Sequence, residues 1–345
     1  MKQTKLIALD WGTSSLRAYR FDAEGQVQEQ RNLPWGIMHL PETVAGSDPK
    51  TGFELAFLHA CGAWLAESPQ TPVIACGMVG SVQGWCEVAY QQVPIALDKI
   101  GAQLTTLQTR DGYTLHIVPG LIQHTTLPNV MRGEETQVIG ALALAAEKKQ
   151  KQQKLPADVL IGMPGTHSKW VQVQQHRKLL HSMPATIVHF DTFMTGEVYA
   201  ALCQHTILGR PMQGSENAAD AMANAAFMRG LEVAQTENGR IGVLSTIFST
   251  RTLGLTGALD GAGQREYLSG LLIGHEIAAL QAHFEEQIRE LDPIILIGEE
   301  ALCARYKTAL EVYGMTDVEV VTQATECGLW TLAMQAGLLA SPEIN

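Results

Sequence analysis

The sequence has little that would take it to a membrane, to nucleic acid or into an oxidising compartment. Nowhere does it hold an apolar run of about 18 residues, the minimum for a spanning helix. At the N-terminus MKQTK precedes only four apolar residues before Asp10, too few for the apolar core of a secretory leader. Positive charge is sparse as well. The 24 Lys and Arg residues are dispersed among 35 Asp and Glu, and the formal net charge of −11 argues against a broad nucleic-acid or anionic-membrane surface. An anionic ligand would therefore need a local cationic pocket. The six cysteines, Cys61, Cys76, Cys86, Cys203, Cys303 and Cys327, form no CxxC pair and no Cys/His spacing typical of zinc. They read as buried thiols of a cytoplasmic protein, and no structural metal is expected.

What the chain does have is apolar residues, 46% of 345, at a mean hydropathy near zero. That profile suits a globular protein with a large core, and its length favours two domains. Near the start, Leu6 to Leu9 is a short apolar run, and Leu16 to Phe21 alternates, so both suit strands. Between them lies Asp10-Trp11-Gly12-Thr13-Ser14-Ser15. Gly, Ser and Asp dominate turns for backbone reasons alone, so a plain hairpin accounts for this composition. An anion site accounts for it too. A Gly-led turn opens backbone N–H groups to phosphate oxygens, Thr13, Ser14 and Ser15 add hydroxyls, and Asp10 at the strand end could hold Mg²⁺ through its waters.

Farther along, Phe53 to Glu67 has helical character, Pro72 to Gly80 is a buried strand opening into a glycine loop, and a helix begins near Glu134. The Lys- and Gln-rich stretch from Glu147 to Asp158 suits a solvated helix end and also a boundary, which divides the chain into lobes 1–150 and 151–345. Beyond it, DVLIGMPGTHSKWVQV repeats the opening. Displaced by 153 positions, Gly12, Thr13 and Ser15 fall on Gly165, Thr166 and Ser168, with basic Lys169 answering Arg17 one position out of step. Three matches in a turn also arise by coincidence. Both copies, however, begin a strand, polar turn, strand pattern, which favours a duplicated fold with a phosphate loop in each half and one nucleotide in the cleft between lobes. Met163 stands where the first copy has Asp10, so only the first lobe would handle metal. Helices dominate after Thr192, and PIILIG, Pro293 to Gly298, is a strand-glycine turn before another helix.

The stretches IALDWGTSSLRAY, GMVGSVQGW, MRGEETQVIG, GMPGTHSKWVQV and MTGEVYAALC together resemble the sugar kinases of the actin and hexokinase superfamily. More narrowly, they resemble the 2-dehydro-3-deoxygalactonokinase family along nearly the full length. The resemblance implies an α/β protein of two ribonuclease-H-like lobes, the actin-like ATPase fold, closing on ATP and Mg²⁺. It implies phosphorylation of the 6-hydroxyl of a 2-dehydro-3-deoxy sugar acid in galactonate catabolism. Asp10 and Gly12 to Ser15 become the first phosphate element, and Gly165, Thr166, Ser168 and Lys169 the second. GEETQ, Gly133 to Gln137, resembles the Gly-Asp-Gln-Gln run of glycerol and xylulose kinases, which puts Glu134 at the position of the catalytic base, with Glu135 as a substitute.

Residue chemistry agrees, because phosphoryl transfer needs a carboxylate to orient the attacking hydroxyl and accept its proton. Acids in a helix's first turn also simply complement its dipole. For a substrate carboxylate, Arg132 offers forked donors, although a surface ion pair is the plainer role of an arginine. Ser81 and Gln83 could bind sugar hydroxyls, and Trp85 could wall the pocket or merely pack. Gly298 is the candidate near adenine. His167, inside the second hairpin, receives no catalytic role. The rivals are a kinase for another sugar or sugar acid, a non-catalytic nucleotide or sugar sensor, and a filament-forming actin relative. Against the sensor, the first motif begins so near residue 1 that no N-terminal DNA-binding module is expected. A homodimer is left open.

Overall fold

The computed structural model describes residues 3–46, 48–152, 158–175, 185–214, 220–283 and 293–339. The chain divides into two compact units. The first comprises Met1–Ala157, Val171–Phe190 and Val321–Asn345, and the second Asp158–Trp170 and Asp191–Val320.

In the first unit the meander Leu6–Trp11, Leu16–Phe21 and Val27–Leu33 runs antiparallel from the centre of a six-stranded sheet to its edge. On its other side Leu6–Trp11 pairs in parallel with Val73–Gly77, which pairs in parallel with Thr114–Ile117, and antiparallel Thr105–Gln108 closes the edge. An antiparallel meander continued by parallel strands is the ribonuclease-H-like order. Being central, Leu6–Leu9 is buried on both faces, so it reads as an apolar run where the flanking strands alternate. One face is covered by the helical stretch Thr51–Phe57, Leu58–Gly62 and Ala63–Glu67, whose Phe53, Phe57 and Trp64 join Trp11 and Trp85 in one cluster.

Two further helices of this unit, Glu134–Gln152 and Ala324–Gln335, cross so closely that a methyl on Gly140 would meet the Ala324 carbonyl oxygen at 1.8 Å, and one on Gly328 the Thr136 carbonyl oxygen at 1.9 Å. Trp330 of the second helix packs on Phe21, ring centroids 5.6 Å apart. The C-terminal helix thus lies with the first unit, whereas a division at 150/151 places everything after it in the second. Paired glycines at a helix crossing are a three-dimensional signal that no composition shift marks.

The second unit is built on Val159–Met163, parallel to Ile294–Ile297 in the register Leu160 with Ile294 and Gly162 with Leu296. Residues 168–170 and 318–320 flank these two strands on either side. Residues 176–184, where the sequence pattern continued, lie outside the described residues. The helices Asp220–Gln235 and Gly261–His283 pack together through Gly230 and Gly270, while Glu300–Val312 covers the sheet with Cys303, Tyr306 and Leu310. Among the described residues no helix is long and apolar enough to cross a membrane.

Candidate active site

In the first unit the turn after Leu6–Trp11 is closed by the Gly12 N–H donating to the Ser15 carbonyl at 2.9 Å, and it leaves Thr13, Ser14 and Ser15 exposed. It is buttressed from behind. The Ile37 and Met38 N–H groups donate to the Gly12 and Thr13 carbonyls, and the Trp11 indole N–H to the Trp35 carbonyl at 2.9 Å. At the foot of this hairpin two glycines with positive φ let three backbones converge. Gly77, φ +90°, leaves no room for a side chain, since a Cβ would sit 2.7 Å from the Trp11 carbonyl oxygen. Gly133, φ +108°, lies so near Gly77 that its own Cβ would stand 3.2 Å from the Gly77 Cα. This convergence brings the start of the helix Glu134–Gln152 under Asp10.

Three carboxylates gather there. Asp10 meets Arg17 at 3.1 Å and lies 3.9 Å from the Cys76 sulfur, its neighbour across the parallel pair. Burial raises its pKa despite Arg17, and the Glu134 charge pushes the same way. Glu134 is partly exposed and accepts from the Arg132 backbone N–H at 2.9 Å. Glu135 is fully buried, its Oε2 accepting from the Gly133 N–H at 2.7 Å and its Oε1 from the Thr136 hydroxyl. Burial, with the Glu134 charge added, raises its pKa to about 8. The adjacent acids thus differ in kind: Glu134 reaches the surface, while Glu135 holds the turn from inside.

Arg132 is not a surface ion pair. It is 8% exposed, stacks 4.2 Å from the Tyr90 ring centroid and donates from Nη2 to the Val88 carbonyl at 2.8 Å. Its Nε and Nη1, and the buried hydroxyl of Ser81, find no hydrogen-bond partner among the described residues. Ser81 follows Gly80, whose Cα lies against the guanidinium: a Cβ there would stand 2.9 Å from Nη1. Gln83 is exposed on the same loop. Trp85 takes the packing role, 2% exposed and stacked on Phe53 at 6.1 Å with Trp11 and Phe57 edge-on.

The second unit holds the other hairpin. Thr166 and His167 are exposed, and the start of the helix Thr195–His205 abuts them through Gly196, with the Glu197 N–H donating to the Thr166 carbonyl at 3.0 Å and the Glu197 carboxylate contacting His167. Ser168 and Lys169 are both buried, and the Ser168 hydroxyl lies 3.0 Å from that of Tyr306. What packs behind the strand, Tyr306 above all, sets the Ser168 position, which a match of turn residues does not encode. Beside the hairpin opens a cavity of about 560 Å³ lined by residues that include Gly165, Thr166, Tyr199, Glu266, Arg305 and Tyr306. Gly298 itself does not line it. Its φ of +156° turns the chain so that the next residue, Glu299, does, while capping the helix Glu300–Val312 through the Ala301 and Leu302 N–H groups.

Tyr90, Glu266 and Arg305 escaped sequence reasoning because they lie far in the chain from the motifs they serve. A signal does exist for Glu276, the single acid within the apolar run LLIGHEIAAL.

Comparison with known proteins points to one family. The family model for 2-keto-3-deoxy-galactonokinase matches residues 10–332. The chain is 35% identical over 335 residues to the Escherichia coli (strain K12) 2-dehydro-3-deoxygalactonokinase, covering 97% of this chain and 96% of that protein. It is also 35% identical over 309 residues, 89% of each chain, to a Rhizobium meliloti (strain 1021) protein named "Probable 2-dehydro-3-deoxygalactonokinase DgoK1". Among solved structures, a Sinorhizobium meliloti protein assigned as a 2-dehydro-3-deoxygalactonokinase superposes with a TM-score of 0.77 at 34% identity, covering 95% of this chain and 98% of that one. With two units of the expected order, both hairpins in place and a match from Asp10 to Leu332, the chain belongs to the 2-keto-3-deoxy-galactonokinase family.

Proposed function

We propose that this protein is an ATP-dependent sugar-acid kinase that transfers a phosphoryl group to the 6-hydroxyl of 2-dehydro-3-deoxy-D-galactonate, in the cytoplasm, for galactonate catabolism. The observation that carries the substrate class is Arg132. A guanidinium left with two unpartnered N–H-bearing nitrogens in a buried position costs stability unless a ligand completes it. A carboxylate suits it, because an anionic oxygen makes a charge-assisted hydrogen bond to each unpartnered N–H. The unpaired Ser81 hydroxyl adds a donor for a sugar-acid oxygen, and Gln83 another from the rim. Trp85 supports that loop from below.

Glu134 is the base in this reading, being the acid of the pair that is partly exposed. It orients the attacking hydroxyl and takes its proton as the O–P bond forms. Glu135 holds the Gly133 turn and so fixes where Glu134 stands. The exposed hydroxyls and turn N–H groups of Gly12 to Ser15 bind phosphate oxygens in the first unit, and Gly165 and Thr166 do so in the second. Lys169 adds positive charge near the second hairpin, whereas the Ser168 hydroxyl is turned away from it. The cavity of about 560 Å³ is large enough for a nucleoside, which supports an adenosine end in the second unit.

Mg²⁺ fits the donor set of the first unit. Asp10 and Glu134 are hard oxygen donors that repel each other, a conflict a divalent cation relieves, and Asp10 with bound waters would hold it. The metal would neutralise charge on the phosphates of ATP.

The test is ADP release with Mg-ATP across 2-dehydro-3-deoxygalactonate, its gluconate epimer, galactonate and glycerol. Turnover confined to the 2-dehydro-3-deoxy acids supports the reading. Turnover on another acid or polyol moves the assignment to a different sugar kinase, and ADP release from no acceptor in folded protein sinks it.

A further inference from the structure

A single buried carboxylate ties together three walls of the second unit's cavity. Glu276, 3% exposed, lies in the middle of the helix Gly261–His283. Its Oε1 accepts from the Trp170 indole N–H at 2.8 Å, and its Oε2 from the Tyr306 hydroxyl at 2.7 Å. The hydroxyls of Thr195 and Ser168 also hydrogen-bond to it. Trp170 and Ser168 belong to the strand leaving the second hairpin, Thr195 opens the helix that abuts the hairpin through Gly196, and Tyr306 is on the helix Glu300–Val312. Thr195 and Tyr306 also line the cavity.

The direction of these bonds follows from the carboxylate. An ionised carboxylate only accepts, so the Tyr306 hydroxyl donates to it, and the one Ser168 proton goes to that carboxylate or to the Tyr306 oxygen 3.0 Å away. The Ser168 proton is committed inward and is not offered to phosphate. Burying a carboxylate is costly, and burial does raise the Glu276 pKa against its four hydrogen bonds. Without it the Trp170 N–H and the Tyr306 hydroxyl would lose their acceptor in the core, and the hairpin strand, the Thr195 turn and the Tyr306 wall would lose the atom that registers them to one another.

We propose that Glu276 is a positioning residue for nucleotide binding: it sets the second hairpin against the cavity wall, so that ATP affinity depends on it while sugar-acid affinity does not. The inference rests on the assignment of this cavity to the nucleoside.

The experiment compares wild type, Glu276→Gln, Glu276→Leu and Tyr306→Phe by KM for each substrate, by kcat, and by binding of a fluorescent ADP analogue in the absence of sugar acid. Glu276→Leu and Tyr306→Phe are expected to raise KM for ATP and weaken the analogue about tenfold or more, with KM for the sugar acid within about twofold. Glu276→Gln is expected to recover most of the loss, because its amide can donate to the Tyr306 oxygen while its carbonyl keeps Trp170. If Glu276→Leu does not fold, Tyr306→Phe and Glu276→Gln decide. Unchanged nucleotide affinity in the folded variants, or equal shifts in both KM values, overturns the proposal. A wild-type protein that binds the analogue but phosphorylates no acceptor fails the kinase reading and leaves this inference standing on the binding data.

Discussion

The two hairpins occupy equivalent places in the two units and are held in opposite ways. The first ends a strand that carries Asp10, presents three exposed hydroxyls, and is braced by backbone through the 35–38 segment and Gly77. The second ends a strand that carries Met163 at the same place, presents Thr166 and His167, and is braced by side chains through Ser168, Trp170 and the buried Glu276. A repeated backbone can thus divide labour. The first copy leaves Asp10 and Glu134 partly exposed, where the proposed reading has them act on a reacting group; the second keeps Glu276 in the core, where its partners are Trp170 and Tyr306.

The sharpest way to break that comparison is to remove charge from each copy. Glu134→Gln is expected to lower kcat by about 10²–10⁴ while leaving the unfolding temperature within a few degrees. Asp10→Asn should cost a further large factor through the phosphate site, and neither change should alter binding of a nucleotide analogue as strongly as it alters turnover. A Glu134→Gln enzyme with near wild-type kcat would transfer the base assignment to Glu135. Arg132→Ala comes next: loss of a charge-assisted contact of about 1.5–3 kcal/mol predicts a KM for the sugar acid roughly 10–150-fold higher, with KM for ATP unchanged. An equal rise in both would mean that Arg132 only supports the loop through Val88 and Tyr90.

Glycine substitution separates the two modes of support. Gly77→Ala places a Cβ 2.7 Å from a backbone oxygen at φ +90°, and a loss of about 1–3 kcal/mol is expected from backbone strain, measured by denaturant unfolding. A Cβ on Gly165 meets nothing within 4 Å, so Gly165→Ala should leave stability unchanged and show only in KM for ATP. Equal destabilisation at both positions would erase the distinction drawn here.

Much of this was legible in the chain because it is carried by contiguous residues. The turn from Asp10 to Ser15, the repeat at Gly165 and the acids of GEETQ are local patterns, and each lies at a strand or helix end. What escaped was carried by distance. The return of the C-terminal helix depends on Gly140 meeting a helix about 190 residues later. Ser168 read as a phosphate ligand because it aligned with Ser15, yet one is buried and the other exposed, a difference set by what packs behind the strand. Trp85 and Arg132 show the same limit in opposite directions: the indole left open between wall and core lies in the core, and the arginine left open between surface pair and ligand is buried with unpaired nitrogens.

The smallest expected effect probes the buried acid of each unit by pH. The pKa of Glu135 is raised from 4.5 to about 8, so between those values the folded protein holds a proton that the unfolded chain has released. Its contribution to stability is therefore full below about pH 4.5 and lost as pH rises through about 8, with a slope of at most about 1.4 kcal/mol per pH unit. Glu135→Gln, which keeps an acceptor for the Gly133 N–H but cannot ionise, should flatten that part of the stability profile and leave the variant more stable than wild type, relative to their difference at pH 5, by pH 8. Glu276 is raised in the same direction, but four side-chain donors oppose its burial, so Glu276→Gln should flatten the profile less. Urea unfolding at pH 5, 6.5 and 8 reads both. A larger change at Glu276 than at Glu135 would mean that its donors stabilise the protonated acid, and that the second hairpin is held by a neutral network instead of a charge.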